Sequence, residues 1–372
     1  MKKILFLFGT RPEAIKMAPL IKTFSSDSNF NVKVGVTAQH REMLDQVLNF
    51  FQIKVDFDLN IMKPNQHLYE LTSNLIVKIT EEILEKDHFD YVFIQGDTTT
   101  VLAGALASFY KKIKVVHIEA GLRSSNLYSP FPEEMNRVMT SKIANFHFCP
   151  TQSSANNLIN ENIQSNIHVV GNTVIDALFS GLDVISKNSN DYLLKHNSID
   201  FSKKIILLTC HRRENFGRPF EEICDALLEI SAEFDNEIEI VYPVHLNPNI
   251  KDVAYKKLIR NNIKLIAPLD YPDLIWMMSQ SYIIVTDSGG IQEEAPSLGK
   301  PVVILREVTE RMEGVEAGTA VLVGSNKNKI INEVGKLLLD KSYYLKISKA
   351  VNPYGDGNTS NKIKEIILNS FD

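Results

Sequence analysis

The chain predicts an α/β protein built from two doubly wound parallel sheets, and three observations predict it. Short runs rich in Val and Ile recur, each followed by a polar or Gly-containing turn and then a stretch of helical spacing; this is the rhythm of strands covered by helices. At 372 residues the chain has the length of about two domains, and both halves carry the rhythm. Most charged and Gly-rich clusters stand directly after an apolar run, where a doubly wound sheet places its ligand groups.

Taken in order, the first-half strands are Ile4 to Phe8, Val32 to Thr37, Tyr91 to Gln95, Val115 to Ile118, Phe146 to Cys149 and Ile167 to Val170. Those of the second half are Ile205 to Thr209, Ile238 to Tyr242, Ile263 to Ile266, Tyr282 to Thr286, Val302 to Leu305 and Ala320 to Val323. The expected seam is Gly171-Asn172-Thr173, after a strand and before a helix, which gives domains 1–170 and 171–357. The polar segment Ser186 to Ser202 reads as a surface connection. Beyond the Pro- and Gly-marked loop at 352–357, Ile363, Ile366 and Ile367 have helical spacing, and a helix over 358–372 is expected to return to the first domain.

Composition narrows the function classes. Apolar types at 44% and charged types at 23% fit a globular chain that buries a sizeable core. With 40 Lys and Arg against 45 Asp and Glu, the net charge of −5 offers no basic field for a nucleic-acid partner. Cys149, Cys210 and Cys224 are too dispersed for a metal knuckle and too few for a disulfide framework, so a reducing cytoplasm is expected. No apolar run approaches the ~20 residues that span a bilayer, and no small-residue cleavage site follows the apolar start. No membrane partner is expected.

The reactive candidates follow the strands. Gly9-Thr10-Arg11-Pro12-Glu13 leads into Lys16; Pro12 suits a first helical turn, and Arg11 and Lys16 are either anion ligands near a positive helix end or solvated charges on a capped helix. Asp97 follows Gln95-Gly96, and Glu119 ends His117-Ile118-Glu119, so both carboxylates should leave the same sheet edge. Glu133 and Glu134 enter a helix from a Pro-marked loop. Singly these acids read as helix caps or dipole partners. Together Asp97, Glu119 and Glu133 would raise one another's pKa values and supply both an acid and a base.

In the second half, His211, Arg212 and Arg213 stand between a strand and a helix. Cations at a helix start oppose the dipole, so an anion site is expected there. His245 lies on a loop, where a structural hydrogen bond is the plainer reading. Asp287-Ser288-Gly289-Gly290 follows a strand; its glycines let backbone N–H groups approach phosphate oxygens and Ser288 adds a hydroxyl donor. Glu294, one helical turn past Gly290, suits ribose hydroxyls, and Arg311 offers a further cation. The sequence has neither G-x-G-x-x-G nor a P-loop, and its acids lack His partners at ligand spacing. Neither a cofactor nor a metal is expected.

The stretches GTRPEAIKMAPL, TAQHREMLDQVL, QGDTTTVLAG, HIEAGLRS, FPEEMNR, VVGNTVIDAL, HRRENFG, YPVHLNPN and DSGGIQEEAPSLGKPV resemble, in family order, the bacterial non-hydrolysing UDP-N-acetylglucosamine 2-epimerases. The resemblance runs from Gly9 to about residue 320. It implies a GT-B-like fold, two Rossmann-type domains facing across a cleft, and reversible inversion at C2 between UDP-GlcNAc and UDP-ManNAc. The implied route expels UDP to give 2-acetamidoglucal, then adds it back. By the same resemblance Asp97, Glu119 and Glu133 are the acid/base candidates. His211 would stabilise or protonate the departing diphosphate, with Arg11, Lys16 and Arg311 as cationic partners. Ser288, Gly289 and Gly290 match the diphosphate loop, Glu294 the ribose contact, and Gln39, His40, Arg213 and His245 a second, allosteric UDP-GlcNAc site found in some relatives. A homodimer serving surface polysaccharide synthesis is implied as well.

Three positions depart from the family pattern. Leu274 stands where a phenylalanine often faces uracil, Met312 replaces a proline beside Arg311, and Asn65 lies where regulated relatives carry arginine. The rival activities are a hydrolysing epimerase that releases ManNAc and UDP, a GT-B glycosyltransferase, and a sugar-nucleotide sensor without catalysis.

Overall fold

Ile4, Leu5, Phe6, Leu7 and Phe8 expose no surface, because a strand inside a parallel sheet is covered on both faces and therefore reads as a continuous apolar run. The computed structural model describes residues 1–38, 41–62 and 66–371. Gln39, His40 and Asn65 lie outside the described residues. Two units emerge, Met1–Ala177 with Tyr354–Asp372, and Leu178–Pro353.

In the first unit the strands are β1 (Lys2–Phe8), β2 (Phe30–Val36), β3 (Phe57–Asp58), β4 (Tyr91–Gln95), β5 (Lys114–Ile118), β6 (Phe146–Cys149) and β7 (Ile167–Val169). They pair in parallel in the order β3-β2-β1-β4-β5-β6-β7. The direction of winding reverses between β1 and β4, so the loops leaving these two strands flank a topological switch point, where such sheets bind ligands. Phe6, Phe24 and Phe93 pack edge-on or tilted beneath β1 at centroid distances of 4.8–5.7 Å, the preferred geometry for aromatic quadrupoles.

The C-terminal helix Thr359–Leu368 belongs to this unit. Asp176 accepts hydrogen bonds from the Thr359 and Ser360 amides at 3.2 and 2.7 Å, which satisfies donors that a helix start leaves open. Phe371 then meets Phe30 edge-on at 5.5 Å.

The second unit has β8 (Lys204–Thr209), β9 (Ile238–Pro243), β10 (Ile263–Ile266), β11 (Ile283–Thr286), β12 (Val302–Ile304) and β13 (Ala320–Leu322), all parallel in the order β10-β9-β8-β11-β12-β13. Its switch point falls between β8 and β11, whose last residues Thr209 and Thr286 are in register. The side-chain hydroxyls of this pair lie 2.6 Å apart, so the segments leaving both strands start side by side.

Between Ser186 and Ser202 the structure departs from the plain connection that polarity implies. Ser189–Lys195 is a helix. It is fixed from outside: Lys195 bonds the buried Asp273, and Tyr192 and His196 both stack on Trp276. These partners lie some eighty positions along the chain, so local composition carries no trace of them.

Among the described residues no helix is long and apolar enough to cross a membrane. All three cysteines are free and buried.

A pH dependence of stability follows from the first sheet. His117 and His147 are paired across β5 and β6, and burial lowers their pKa values from 6.5 to about 4 and about 3. In the unfolded chain both protonate near pH 6.5, whereas in the fold they stay neutral. Stability is therefore full above pH 6.5 and declines as pH falls toward 4, on the order of 1 kcal/mol per pH unit for each ring. Urea midpoints measured from pH 7 to pH 4.5 should fall steeply, and His147→Gln should flatten the slope.

Candidate functional site

The first unit gathers its acids through three segments. After β1, Glu13 is buried in the first turn of the helix Arg11–Ser25. Its Oε2 accepts the Gly9 and Thr10 amides at 2.9 and 2.7 Å, and its Oε1 accepts the Thr98 hydroxyl at 2.6 Å. One carboxyl thus ties the loop after β1 to the loop after β4, although burial raises its pKa. Arg11, the first residue of that helix, is half-buried.

After β4, Gly96 turns the chain at φ +81°, and its carbonyl accepts from the His117 ring at 2.8 Å. Asp97 follows. Asp97 Oδ2 accepts from Arg137 at 2.6 Å, and the Asp97 carbonyl accepts from Asn136 Nδ2 at 2.9 Å. Thr98, not Asp97, caps the next helix. Burial pushes the Asp97 carboxyl above its ordinary range; Arg137 and Lys16 oppose this, while Glu119 and Glu133 reinforce it. Those opposing influences mean that all four charged groups sit within Coulomb reach of Asp97.

Glu119 directly follows β5 with φ +63°, a left-handed backbone unusual for a side chain larger than Asn and the kind of strain that collects at functional sites. Its Oε2 accepts from Lys16 Nζ at 2.5 Å and from Gln95 Nε2, and its Oε1 takes a long 3.4 Å bond from Asn172. Glu133 begins the helix Glu133–Ile143 and is half-buried. Next to it, Glu134 receives Arg137 at 2.7 and 2.9 Å and accepts the Ser124 and Ser125 amides at 3.0 and 3.1 Å. Arg137 therefore joins Asp97 to the loop that follows Glu119.

Within the second unit the organising group is Asp287, which is fully buried. Its Oδ2 accepts the His211 and Arg212 amides at 2.9 and 2.8 Å and Asn215 Nδ2 at 2.9 Å. His211 and its two Arg neighbours do not stand at the start of an α-helix, contrary to the expectation from sequence. The next α-helix starts only at Arg218, and residues 213–215 form one 3₁₀ turn, so no helix dipole opposes these cations. An anion is present all the same, and it is the protein's own carboxylate.

His211 stacks on His245 at 5.6 Å, and His245 Nδ1 accepts the Asn247 amide at 3.1 Å. Arg213 and His245 are exposed.

Ser288 caps the short helix Gly289–Glu294. A Cβ on Gly289 would stand 3.4 Å from Arg311 Cζ, so the guanidinium lies over this turn. Arg311 is itself paired with Glu293 at 2.9 Å and Glu310 at 2.7 Å. Glu294 accepts the Tyr271 hydroxyl at 3.2 Å and borders Gly290, whose Cβ would lie 3.8 Å from its Oε2. Leu274 is half-exposed on the helix Tyr271–Gln280. Among the described residues no three His, Cys, Asp or Glu side chains form a group able to hold a metal.

Several groups in these clusters are missing from the candidates read from the sequence. Glu13 was detectable, since Thr10-x-x-Glu13 is a capping-box pattern. Arg137 lies one turn after Glu133 and Glu134, a spacing that puts it on their face. Asn136, Asn215 and Asn172 carry no comparable local signal.

Residues 22–368 match the family model described as UDP-N-acetylglucosamine 2-epimerase. The UDP-N-acetylglucosamine 2-epimerase of Escherichia coli strain K12 is 51% identical over 373 residues, covering 99% of each chain. The crystal structure of UDP-GlcNAc 2-epimerase from Neisseria meningitidis bound to UDP-GlcNAc superposes with a TM-score of 0.90 at 49% identity, covering 99% of this chain and 100% of that one. The Methanocaldococcus jannaschii UDP-GlcNAc 2-epimerase, solved in complex with UDP-GlcNAc and UDP, gives a TM-score of 0.80 at 34% identity with 99% and 100% coverage.

Proposed function

Because the chain belongs to the UDP-N-acetylglucosamine 2-epimerase family, we propose that it interconverts UDP-GlcNAc and UDP-ManNAc without releasing the free sugar. The observation that carries this reading is that Asp97, bonded by Arg137, lies within electrostatic reach of Glu119, itself bonded by Lys16, and of Glu133. Epimerisation needs proton traffic on both faces of one carbon, and a set of carboxylates offset by cations supplies it.

C2 of the hexose is not next to a carbonyl, so removing its proton alone would strand a carbanion. Loss of UDP from C1 solves this. The C2–H electron pair becomes the C1=C2 π bond as the C1–O bond breaks, giving 2-acetamidoglucal and UDP. Protonation of C2 on the opposite face, with return of the diphosphate oxygen to C1, completes the inversion. Asp97, Glu119 and Glu133 are the acid/base residues of this scheme. In the second unit Ser288, Gly289, Gly290, His211 and Arg311 hold the diphosphate and Glu294 takes the ribose, while Arg11 and Lys16 are cationic partners for the same anion. Leu274 packs against the uracil. In the same reading the protein is a cytoplasmic homodimer that provides ManNAc units for a surface polysaccharide, and Arg213 and His245, with Gln39 and His40, bind a second UDP-GlcNAc that activates it.

Two measurements test the scheme. Incubation with UDP-GlcNAc should yield UDP-ManNAc with no stoichiometric free ManNAc; release of ManNAc at the rate of substrate loss would make the protein a hydrolysing enzyme. Substrate labelled with ¹⁸O in the C1–O–P bridge should scramble its label into non-bridging phosphate positions, which requires the C1–O bond to break and re-form.

Arg137 gives the scheme a pH signature. Its guanidinium lowers the Asp97 pKa against burial and two neighbouring carboxylates. In Arg137→Met that support is gone, so Asp97 ionises at higher pH. The acid limb of the kcat profile should move up by about one pH unit or more. An unmoved limb would detach Asp97 from the rate-controlling proton transfer.

A further inference from the structure

Asp287 combines two features that its hydrogen bonds to the loop do not account for together. It exposes no surface, and while Oδ2 accepts three donors, Oδ1 has no hydrogen-bond partner. A buried carboxylate oxygen left without a donor is costly. The ring nitrogen His211 Nδ1 stands 3.4 Å from it, longer than a formed hydrogen bond and within reach of a small side-chain rotation.

The strands dictate this meeting. Thr209 and Thr286 are in register at the ends of β8 and β11, and the Asp287 amide donates to the Thr209 carbonyl at 3.1 Å. The segment 210–212 is thereby drawn over the Asp287 carboxylate. The residues next in line are Ser288 and Gly289, so the end of β11 that aims the carboxylate also starts the Gly-rich turn.

From this geometry we propose that Asp287 is a positioning residue for His211: its Oδ1 receives Nδ1–H and fixes the ring so that Nε2 faces the diphosphate. The diphosphate rests on the proposed function; the orientation of the ring does not. With Nδ1–H anchored on a carboxylate, the ring can take a second proton at Nε2 and hand it to the departing diphosphate oxygen, after which it is the neutral Nδ1–H tautomer. Other groups bear on this titration. Partial desolvation of the ring, which is 43% exposed, lowers the His211 pKa; Asp287 opposes this, and the stacked His245 and nearby Arg212 also disfavour the imidazolium. The Cys210 thiol lies on the Asp287 carboxylate and burial keeps it protonated.

Asp287→Asn tests this. The amide oxygen can keep the three donors on its own side, which turns the NH₂ toward Nδ1, forces the reversed tautomer and blocks the imidazolium. Expected results are a kcat lower by about 10²-fold, a KM for UDP-GlcNAc within about threefold, and an alkaline limb displaced to lower pH. In a His211→Asn background the same change should cost less than about twofold. A loss as large in that background would assign Asp287 to the loop alone and overturn the proposal.

The tautomer is read directly by ¹⁵N–¹H long-range NMR of the wild-type protein above pH 8, with His211→Asn to assign the signal. Nδ1–H is expected, and Nε2–H overturns the proposal whether or not the variant folds. Because that spectrum needs no turnover, a protein inactive on UDP-GlcNAc would refute the proposed function and leave this readout standing.

Discussion

Asp97→Asn should lower kcat for C2 inversion by about 10³-fold or more while leaving KM within a few-fold. The replacement keeps the shape of the side chain, the Asn136 bond to its carbonyl and an acceptor for Arg137, so the loop between Gly96 and Thr98 has no reason to move. What it removes is the ability to bind and release a proton. That function matters here because the Asp97 carboxyl is electrostatically contested, raised by burial and by Glu119 and Glu133, and lowered by Arg137 and Lys16. A carboxyl perturbed in this way by burial and by specific charged neighbours is of the kind that serves acid/base chemistry. Steady-state kinetics on UDP-GlcNAc decide the matter. Unchanged turnover would fit a sugar-nucleotide sensor or an enzyme whose chemistry lies elsewhere.

The largest effect on stability is expected from Gly121→Ala. Gly121 has φ +88°, and a Cβ there would lie 2.1 Å from the Ser154 carbonyl oxygen and 3.2 Å from Leu158 Cγ. Backbone cannot yield as the tip of a side chain does, so the helix Gln152–Asn160 must leave its seat, together with the Asn157 bond to the Gly121 carbonyl at 3.0 Å. A loss of about 4 kcal/mol or more is expected. Gly96→Ala provides the control. Its φ of +81° is similar, but nothing lies within 4 Å of the added Cβ, so only the left-handed backbone cost of about 1–2 kcal/mol applies. Paired thermal melts should separate the two. Equal losses would mean that strain alone, not the Ser154 contact, makes Gly121 necessary. Since Gly121 stands two residues past Glu119, the same clash should also disturb the acid cluster.

The strands were legible because parallel sheets bury both faces, so each appears as an uninterrupted apolar run. The readings Tyr91 to Gln95, Phe146 to Cys149 and Ile263 to Ile266 coincide with observed strands, and the others shift by one or two residues at one or both ends. Strand β3 was not legible. With two residues, Phe57 and Asp58, at the edge of the sheet, it is defined by its pairing with Gly35 and Val36 and has no pattern of its own.

The acids were visible as residues placed after strands, yet their electrostatic partners were not. Arg137 reaches Asp97 across 40 positions and Lys16 reaches Glu119 across 103, distances over which charge patterning says nothing. His211 does not open a helix, as its position after a strand suggested; Asp287, 76 positions later, supplies a negative charge there. Local sequence reports what a segment prefers; only the register of β8 and β11 reports what it meets.

In the proposed mechanism carboxylates exchange the proton on C2 of a captive hexose. Running the wild-type reaction to equilibrium in deuterium oxide with UDP-GlcNAc as sole substrate, and reading both sugar nucleotides by NMR and mass, tests it most directly. One deuterium at C2 of the UDP-ManNAc formed and of the UDP-GlcNAc returned, with no uptake elsewhere on the ring, is the predicted result. Product that still carries protium at C2 would rule out carboxylate-mediated proton exchange at that carbon.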